Sequence, residues 1–596
     1  MHNLRVHDGP TFRSYVQLCA LVTFRPLRAF IMGLKFAALF LALLPFSTAK
    51  SASQTIHELK KGTAPDLSRR HHISKRDVDP STLYPEHNLS VPIDHFHNES
   101  IYEPHSSGTF NLRYWFDGSY YKEGGPVIVL ESGEDTGTDR LPYLQKGILH
   151  QLAEATNGIG VVLEHRYYGT SFPTPDLSTE NLRFLTTQQA LADTAYFAQN
   201  VMFEGLEDKN LTAPNTAYIA YGGSYAGAFV AFLRTTYPDV YFGNIILCFG
   251  FSGKGLTINT GSISSSGVTK AIVDFWAYYE PVREYGPPDC ILATQKLTNI
   301  VDNVLIGKHN TQLTNELKTA FGLEDVEYDD DFANVLSYGI GGWQGRNWDP
   351  AVNHPSFSQY CGNLTSNTTL YPTSANATST VKKLIAAGGY GNQSSVLITQ
   401  MLNFIGYVNT TFVVPCEEEG ETLDECATTH NKTFYELDDI TQTWRSWPYQ
   451  YCSQWGFLQT GSGVPADQLP LISRTITLDY EEIICRDAFN ITTRPAIDVI
   501  NAYGGYDVAY NRLAFIDGED DPWRGATPHA PEAKNRTSST DQPFILIADA
   551  VHHWDENGLF PNETTADLPP APVADTQKDE IAFVKAWMAE WAAGNY

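Results

Sequence analysis

Ser224, Asp521 and His552 stand far apart in the chain, yet their types and settings suit nucleophilic acyl transfer. Ser224 lies in Tyr221-Gly222-Gly223-Ser224-Tyr225-Ala226-Gly227-Ala228. The apolar run Thr216 to Ala220 before it reads as a buried strand. Ala228 to Arg234 after it reads as a helix stopped at Tyr237-Pro238. A serine among small residues at a strand-to-helix turn is a nucleophile elbow: the tight turn lifts the hydroxyl clear of the sheet. The pattern G-x-S-x-G has its second glycine at the position of Ala226, which is still small. The competing reading is a Gly-rich turn whose serine caps a helix.

A serine hydroxyl is a weak nucleophile and needs a base, and the base needs a group that fixes its tautomer. Asp521 follows the strand-like Leu513 to Ile516, and His552 follows Phe544 to Ala548. Serine, acid and histidine in that order, each just after a strand, is the α/β-hydrolase arrangement. Asp517, Glu519 and Asp520 are rival acids, and a turn carboxylate or a strand-end histidine is the bland alternative for each partner. An oxyanion would face the amide of Tyr225 at the helix N-terminus. The second donor is expected in the loop after Val127 to Leu130, where Gly133 is the candidate.

The elements that must position these residues are strand, helix, strand, helix through about residue 237. Phe110 to Trp115 reads as an edge strand, Val127 to Leu130 and Gly158 to Leu163 as buried strands, and 186–203 as a helix. Ser252 to Ser266 is rich in Gly, Ser and Thr and shows no periodicity. From there to about 500 the pattern is helical with few buried strands, and the sheet pattern returns at Asp507. A last helix, about 576–593, places Ile581, Val584, Met588 and Trp591 on one face. The expected fold is therefore α/β, with a sheet domain in two parts, 77–250 and 501–596, and a mainly helical, disulfide-tied insertion at 251–500.

Composition narrows the function. A net charge of -28, from 68 acidic against 40 basic residues, argues against nucleic acid or an anionic membrane as partner and suits work in acid. Lys35 and the apolar run Phe36 to Leu44, followed by Ser47-Thr48-Ala49, read as a signal region over 1–49 that starts at Met32. Residues 50–76 read as a propeptide or linker ending at the dibasic Lys75-Arg76, and no second apolar run is expected to span a bilayer. Sequons at Asn88, Asn98, Asn210, Asn363, Asn376, Asn409, Asn431, Asn490 and Asn535 fit export. So do Cys290, Cys361, Cys416, Cys426, Cys452 and Cys485, an even set that reads as disulfides of open pairing. Cys19 precedes the signal, and Cys248 reads as a buried free thiol. No cysteine spacing resembles a zinc site, and neither metal nor cofactor is expected.

The segments Glu164-His165-Arg166-Tyr167-Tyr168-Gly169-Thr170-Ser171, Asp176 to Leu185, Gly222-Gly223-Ser224-Tyr225 with Gly227, and Asp521-Pro522-Trp523 with His552-His553 resemble the prolyl carboxypeptidase and lysosomal dipeptidyl peptidase family of serine peptidases, including fungal prolyl endopeptidases. Trp444 to Trp447 and Tyr449 to Cys452 are similar to a cap segment of that family. The resemblance implies an α/β-hydrolase with a helical cap inserted between serine and aspartate. It implies Ser224 as nucleophile, Asp521 as acid, His552 as base and cleavage after proline. Against the family pattern Cys248 to Ser266 intervenes, and its core Lys254 to Asn259 is compatible with a translated intron.

The expected activity is thus hydrolysis of peptide bonds in a secreted protein, with a vacuolar or lysosome-like compartment as the alternative location. A lipase or esterase on the same scaffold, and an inactive binding relative, are the rival readings. Trp523 is the candidate wall of an apolar slot for the proline ring, its alternative being simple packing on the sheet. An acidic optimum requires the site to disfavour imidazolium at His552, for instance by desolvation.

Overall fold

The computed structural model describes residues 79–238, 260–307, 310–392 and 395–594. The signal region, Lys75-Arg76, Cys19, Cys248 and Lys254 to Asn259 lie outside the described residues.

The apolar runs Val127 to Leu130, Ile159 to Leu163 and Leu513 to Ile516 bury both faces and form the middle of a sheet, whereas Phe544 to Ile547 lies partly buried at its edge. The main sheet has β1 (His87–Pro92), β2 (Thr109–Asp117), β3 (Val127–Glu131), β4 (Ile159–Leu163), β5 (Tyr218–Gly223), β6 (Gly261–Ser265), β9 (Leu513–Gly518) and β10 (Phe544–Ile547), in the order β1-β2-β4-β3-β5-β6-β9-β10. β2 runs antiparallel to both β1 and β4, and β4, β3, β5, β6, β9 and β10 are mutually parallel. β7 (Ile272–Asp274) and β8 (Gly456–Leu458) form a separate two-stranded sheet.

Among the described residues, the helices of eight or more residues are α1 (Ile148–Thr156), α2 (Thr187–Asn200), α3 (Ser224–Thr236), α4 (Pro288–Leu305), α5 (Thr311–Phe321), α6 (Asp329–Gly341), α7 (Ser356–Thr365), α8 (Thr378–Ile385), α9 (Ser395–Val408) and α10 (Ala571–Ala592). One sheet face packs Ile128, Leu130 and Ile219 against Leu149 and Leu152 of α1 and Val584 and Trp587 of α10. On the other face Val127 and Val129 meet Phe197 and Ala198 of α2. α3 joins a large core shared with the helices between β7 and β9. The architecture is an α/β-hydrolase sheet carrying a helical insertion.

The insertion is tied by Cys290–Cys361, Cys416–Cys426 and Cys452–Cys485, which resolves the pairing the sequence leaves open. The helical run Ser395–Glu419 has the length and mean hydropathy, 1.2, of a membrane span, but Met401, Leu402, Phe404 and Ile405 on it are buried in the core.

Three expectations are corrected. Phe110 to Trp115 belongs to β2, which is interior, because β1 covers its outer side. Gly261 to Ser265, inside the stretch expected to be irregular, is a fully buried strand between β5 and β9, so the division at 251 falls before a strand that belongs to the sheet. Its small residues are there for space: a Cβ on Gly261 would lie 2.6 Å from the Trp587 ring. The buried side of α10 includes Val573, Glu580, Val584 and Trp587, whereas Ile581, Met588 and Trp591 are only partly covered. The expected face is therefore rotated, because Thr576, Gln577 and Glu580 are buried despite being polar.

Candidate active site

β5 ends at Gly223 and α3 begins at Ser224, whose φ is +59°. A non-glycine residue in that region costs about 1–3 kcal/mol and persists only where its surroundings enforce it. They do so here. A Cβ on Gly222 would lie 2.3 Å from the Ala226 carbonyl oxygen, and one on Gly227 2.7 Å from that of Ser265, so strand, turn and helix admit nothing larger. Gly133, with φ +71°, brings the loop after β3 onto the same turn: a Cβ there would lie 3.3 Å from Cβ of Ala226. The alanine methyl thus abuts a residue that has no side chain, which accounts for Ala226 in place of a glycine. The Tyr225 amide lies in the first turn of α3, where N–H groups lack intrahelical partners.

Asp521 and His552 are brought together. His552 Nδ1 lies 2.8 Å from Asp521 Oδ2, and Asp521 Oδ1 accepts the Trp523 main-chain N–H at 2.9 Å. With Nδ1 donating to the carboxylate, Nε2 is the basic nitrogen. It is buried and has no hydrogen-bond partner. Burial depresses the His552 imidazole and Asp521 pulls it back up, leaving it below the ordinary histidine value. The rival acids are occupied elsewhere or do not reach the ring: Asp517 Oδ2 holds His529 Nδ1 at 2.6 Å, and Asp520 faces Arg346 at 3.7 Å.

Trp523 is buried beside His552, with ring centroids 6.4 Å apart. Phe275, Tyr278 and Phe457 surround it at 5.1–5.4 Å. Its Nε1 donates to Gln344 Oε1 at 2.8 Å, and the Tyr278 hydroxyl donates to the same oxygen at 2.7 Å. Ser224 and Gly223 border a polar cavity of about one water molecule with Glu131, Glu134, His553 and Glu556. Burial pushes the Glu131 carboxyl up to about 8 and that of Glu134 up to about 7.

The family model described as Serine carboxypeptidase S28 matches residues 91–246 and 257–566. The chain belongs to the serine carboxypeptidase S28 family. Residues 247–256, which hold the start of the anomalous Lys254 to Asn259 segment, fall between the two matched stretches. The chain is 52% identical over 554 residues to "Probable extracellular serine carboxypeptidase" of Arthroderma benhamiae, covering 93% of this chain and 74% of the relative. It is 30% identical to "Serine protease vicPb" of Bipolaris victoriae, covering 78% of this chain and 82% of the relative. "Serine protease vicPa" of the same organism is also 30% identical, with coverages of 75% and 81%.

In this S28 peptidase the elbow is braced from below by residues to which sequence reasoning assigned no role. His165 Nδ1 donates to the Arg166 carbonyl at 2.7 Å, so its Nε2 accepts from the Tyr225 hydroxyl at 2.9 Å. Gln450 Nε2 donates to the same hydroxyl oxygen at 2.9 Å, and the Tyr168 hydroxyl donates to Gln450 Oε1. Burial holds His165 at about 4, so it stays neutral and the chain of bonds keeps one direction. The residue after Ser224 is thereby locked to both the sheet domain and the insertion. His165 and Gln450 sit in segments that carry the family resemblance, which was the available signal. Gln344 had none, because its partners come from distant segments.

Proposed function

We propose that this S28 peptidase is an extracellular carboxypeptidase that cleaves after proline through a Ser224–His552–Asp521 triad and an acyl-enzyme. The observation that carries the reading is the His552 ring, clamped at Nδ1 by Asp521 with a buried, unpartnered Nε2. In this mechanism Nε2 takes the Ser224 proton as Oγ attacks the scissile carbonyl. The tetrahedral oxyanion is held by the amides of Tyr225 and Gly133. Collapse breaks the C–N bond, and imidazolium gives its proton to the leaving amine. Water, deprotonated by the same nitrogen, then attacks the acyl-Ser224 ester, and the serine regains its proton. Asp521 supports the imidazolium in both halves.

Proline has a fixed φ and no N–H, so selecting it calls for an apolar slot and no backbone partner at that position. Trp523 with Phe275 and Phe457 supplies apolar walls next to His552. Export is supported by the relative named as extracellular, by three disulfides, and by exposed sequons at Asn98, Asn210, Asn376, Asn490 and Asn535.

The test is a fluorophosphonate label followed by a peptide panel. Wild type is expected to be labelled and Ser224→Ala not, with turnover in the variant down on the order of 10³-fold or more. Free-acid peptides with proline before the last residue are expected to outrun alanine analogues by roughly 10- to 200-fold. Equal rates on the two would end the proline reading. Faster hydrolysis of amidated than of free-acid peptides would end the carboxypeptidase reading, and a preference for short esters would favour an esterase.

A further inference from the structure

Asp330 and Asp331 open α6, and His430 lies four residues beyond Cys426 of the Cys416–Cys426 disulfide. Their ligand atoms all fall within 4.8 Å of one another. We propose that these three side chains form a binding site for one divalent transition-metal ion of the zinc type, which fastens the helical insertion.

The argument begins with atoms that have nothing to bond to. Asp331 is fully buried. Its Oδ1 accepts the Thr429 N–H at 3.0 Å, the Thr429 hydroxyl at 2.8 Å and the Tyr480 hydroxyl at 2.9 Å. These donors fix the carboxyl group and leave Oδ2 buried without a hydrogen-bond partner. His430 Nε2 is likewise buried and unpartnered. It lies 4.0 Å from Asp331 Oδ2 and 3.5 Å from Asp330 Oδ1, too far for sound hydrogen bonds. Leaving such groups unpaired in the interior is costly, and native structures rarely do so. The ring is also held in place: Tyr328 stacks on it at 3.8 Å and 14° between planes.

Two of the three separations come near those of an ion's ligands, and all three lie within 4.8 Å. Ligand atoms about 2.1 Å from a tetrahedral centre stand about 3.4 Å apart. The Asp330 pair already meets that spacing, and the Asp331 pair needs to close by about half an ångström. One imidazole with two carboxylates suits zinc and its neighbours better than calcium, which takes six to eight oxygens. The His430 and Asp330 side chains are 24% and 27% exposed, so an ion can enter and water can complete its shell. In the other ligand-type cluster, Asp94, His97 and His105, both Asp94 oxygens are already bonded, to His105 Nδ1, Phe96 N and Gln189 Nε2; here Asp330 Oδ1 accepts only the Asp331 N–H at 2.9 Å and Asp331 Oδ2 has no hydrogen-bond partner. An ion at Asp330, Asp331 and His430 would join the start of α6, the segment after the disulfide and, through Asp331, Tyr480 of the short helix Leu478–Glu481.

The experiment uses the full chain, stripped with a chelator, and Zn²⁺ alone as the probe, with calorimetry for stoichiometry and melting for stability. A His552→Ala background excludes zinc bound at the catalytic histidine. One equivalent is expected to bind and to raise Tm. His430→Gln and Asp330→Asn, both at partly exposed positions, are each expected to weaken binding by about 10–100-fold or more and to abolish the rise. Co²⁺ should give the visible band of a four-coordinate site in the background protein and not in His430→Gln. Unchanged zinc affinity in His430→Gln and Asp330→Asn would overturn the proposal, as would binding lost in His97→Gln but kept in His430→Gln. Stabilisation by Ca²⁺ that is equal with and without His430 would overturn it as well.

Discussion

His552 and His553 are neighbours with ring centroids 4.5 Å apart, and their surroundings give them opposite characters. Burial depresses His552, and Asp521 only partly compensates. Burial would depress His553 too, but Glu556, whose Oε2 is 3.0 Å from Nδ1, overrides it and holds the group above the ordinary value. A base must be neutral to act, and a depressed imidazole gives up its proton at lower pH. The acid limb of kcat/KM is therefore expected below the ordinary value of about 6.5, and a pH–rate profile placing it at or above that value contradicts the assignment. His552→Ala is expected to lose on the order of 10³-fold or more in kcat, and His553→Ala distinctly less. A loss confined to His553→Ala reverses the roles. Trp523→Phe keeps an apolar wall but removes the N–H that Gln344 accepts. The preference for proline over alanine should shrink in it, and an unchanged ratio removes Trp523 from specificity.

Arg445 shows how one element fastens two parts of the molecule. It is buried, and it donates to the carbonyls of Leu177 at 2.9 Å, Tyr435 at 2.8 Å, Leu437 at 2.9 Å and Ala488 at 2.6 Å. Burial pushes the guanidinium down to about 10. Leu177 belongs to the loop after β4, and the other three carbonyls belong to the insertion. The following Ser446 hydroxyl donates to the Tyr167 carbonyl at 2.8 Å. Arg445→Met would leave buried acceptors without donors, at a cost on the order of 3–5 kcal/mol, and Lys cannot reproduce the planar fork. Reduced secretion and a lower urea midpoint are expected, whereas an unfolding free energy within about 1 kcal/mol of wild type would show that the carbonyls find water. At this scale much was legible. Val127–Leu130, Gly158–Leu163 and Leu513–Ile516 read as strands because continuous apolar runs bury both faces; Phe544–Ala548 read as one too, although it lies at the sheet edge with Leu546 exposed. β6 did not, because Gly-Ser-Ile-Ser-Ser carries no hydrophobic signal and is a strand only through the neighbours that press on it.

For the whole molecule, the buried carboxyls imply a preference for acid. Burial raises Glu131 to about 8, Glu134 to about 7, and Asp555 and Asp520 each to about 6. Each binds its proton more tightly folded than unfolded. Its contribution is therefore fully present below the unfolded carboxyl value and is lost as pH rises through the folded one. Asp94, Asp193 and Glu556 are shifted the other way. Burial would raise them, but their hydrogen bonds and cationic partners win, so their contribution is lost as pH falls through their depressed values. A net charge of -28 adds self-repulsion as pH rises. Tm by calorimetry is expected to be higher near pH 5 than near pH 8 and to fall again in stronger acid. A Tm still rising at pH 8 would show that the buried carboxyls do not govern stability.

The sequence alone determined the chemistry on offer and the order in which it occurs. A serine at a glycine-rich turn, then an aspartate and a histidine after apolar runs, are local patterns, and local patterns survive in one dimension. Six cysteines between Cys290 and Cys485 likewise announced a tied insertion. Only the tertiary structure decided how the cysteines pair and that Gly133 rests on Ala226, and it gave the distance at which Asp521, the acid the resemblance implied, meets His552. It also decided that Gln450 and His165 brace Tyr225, and that Asp331 and His430 converge with unpaired atoms. Each of these is a distance of a few ångströms between residues separated by tens or hundreds of positions. Packing sets such distances, and no period or motif along the chain records them.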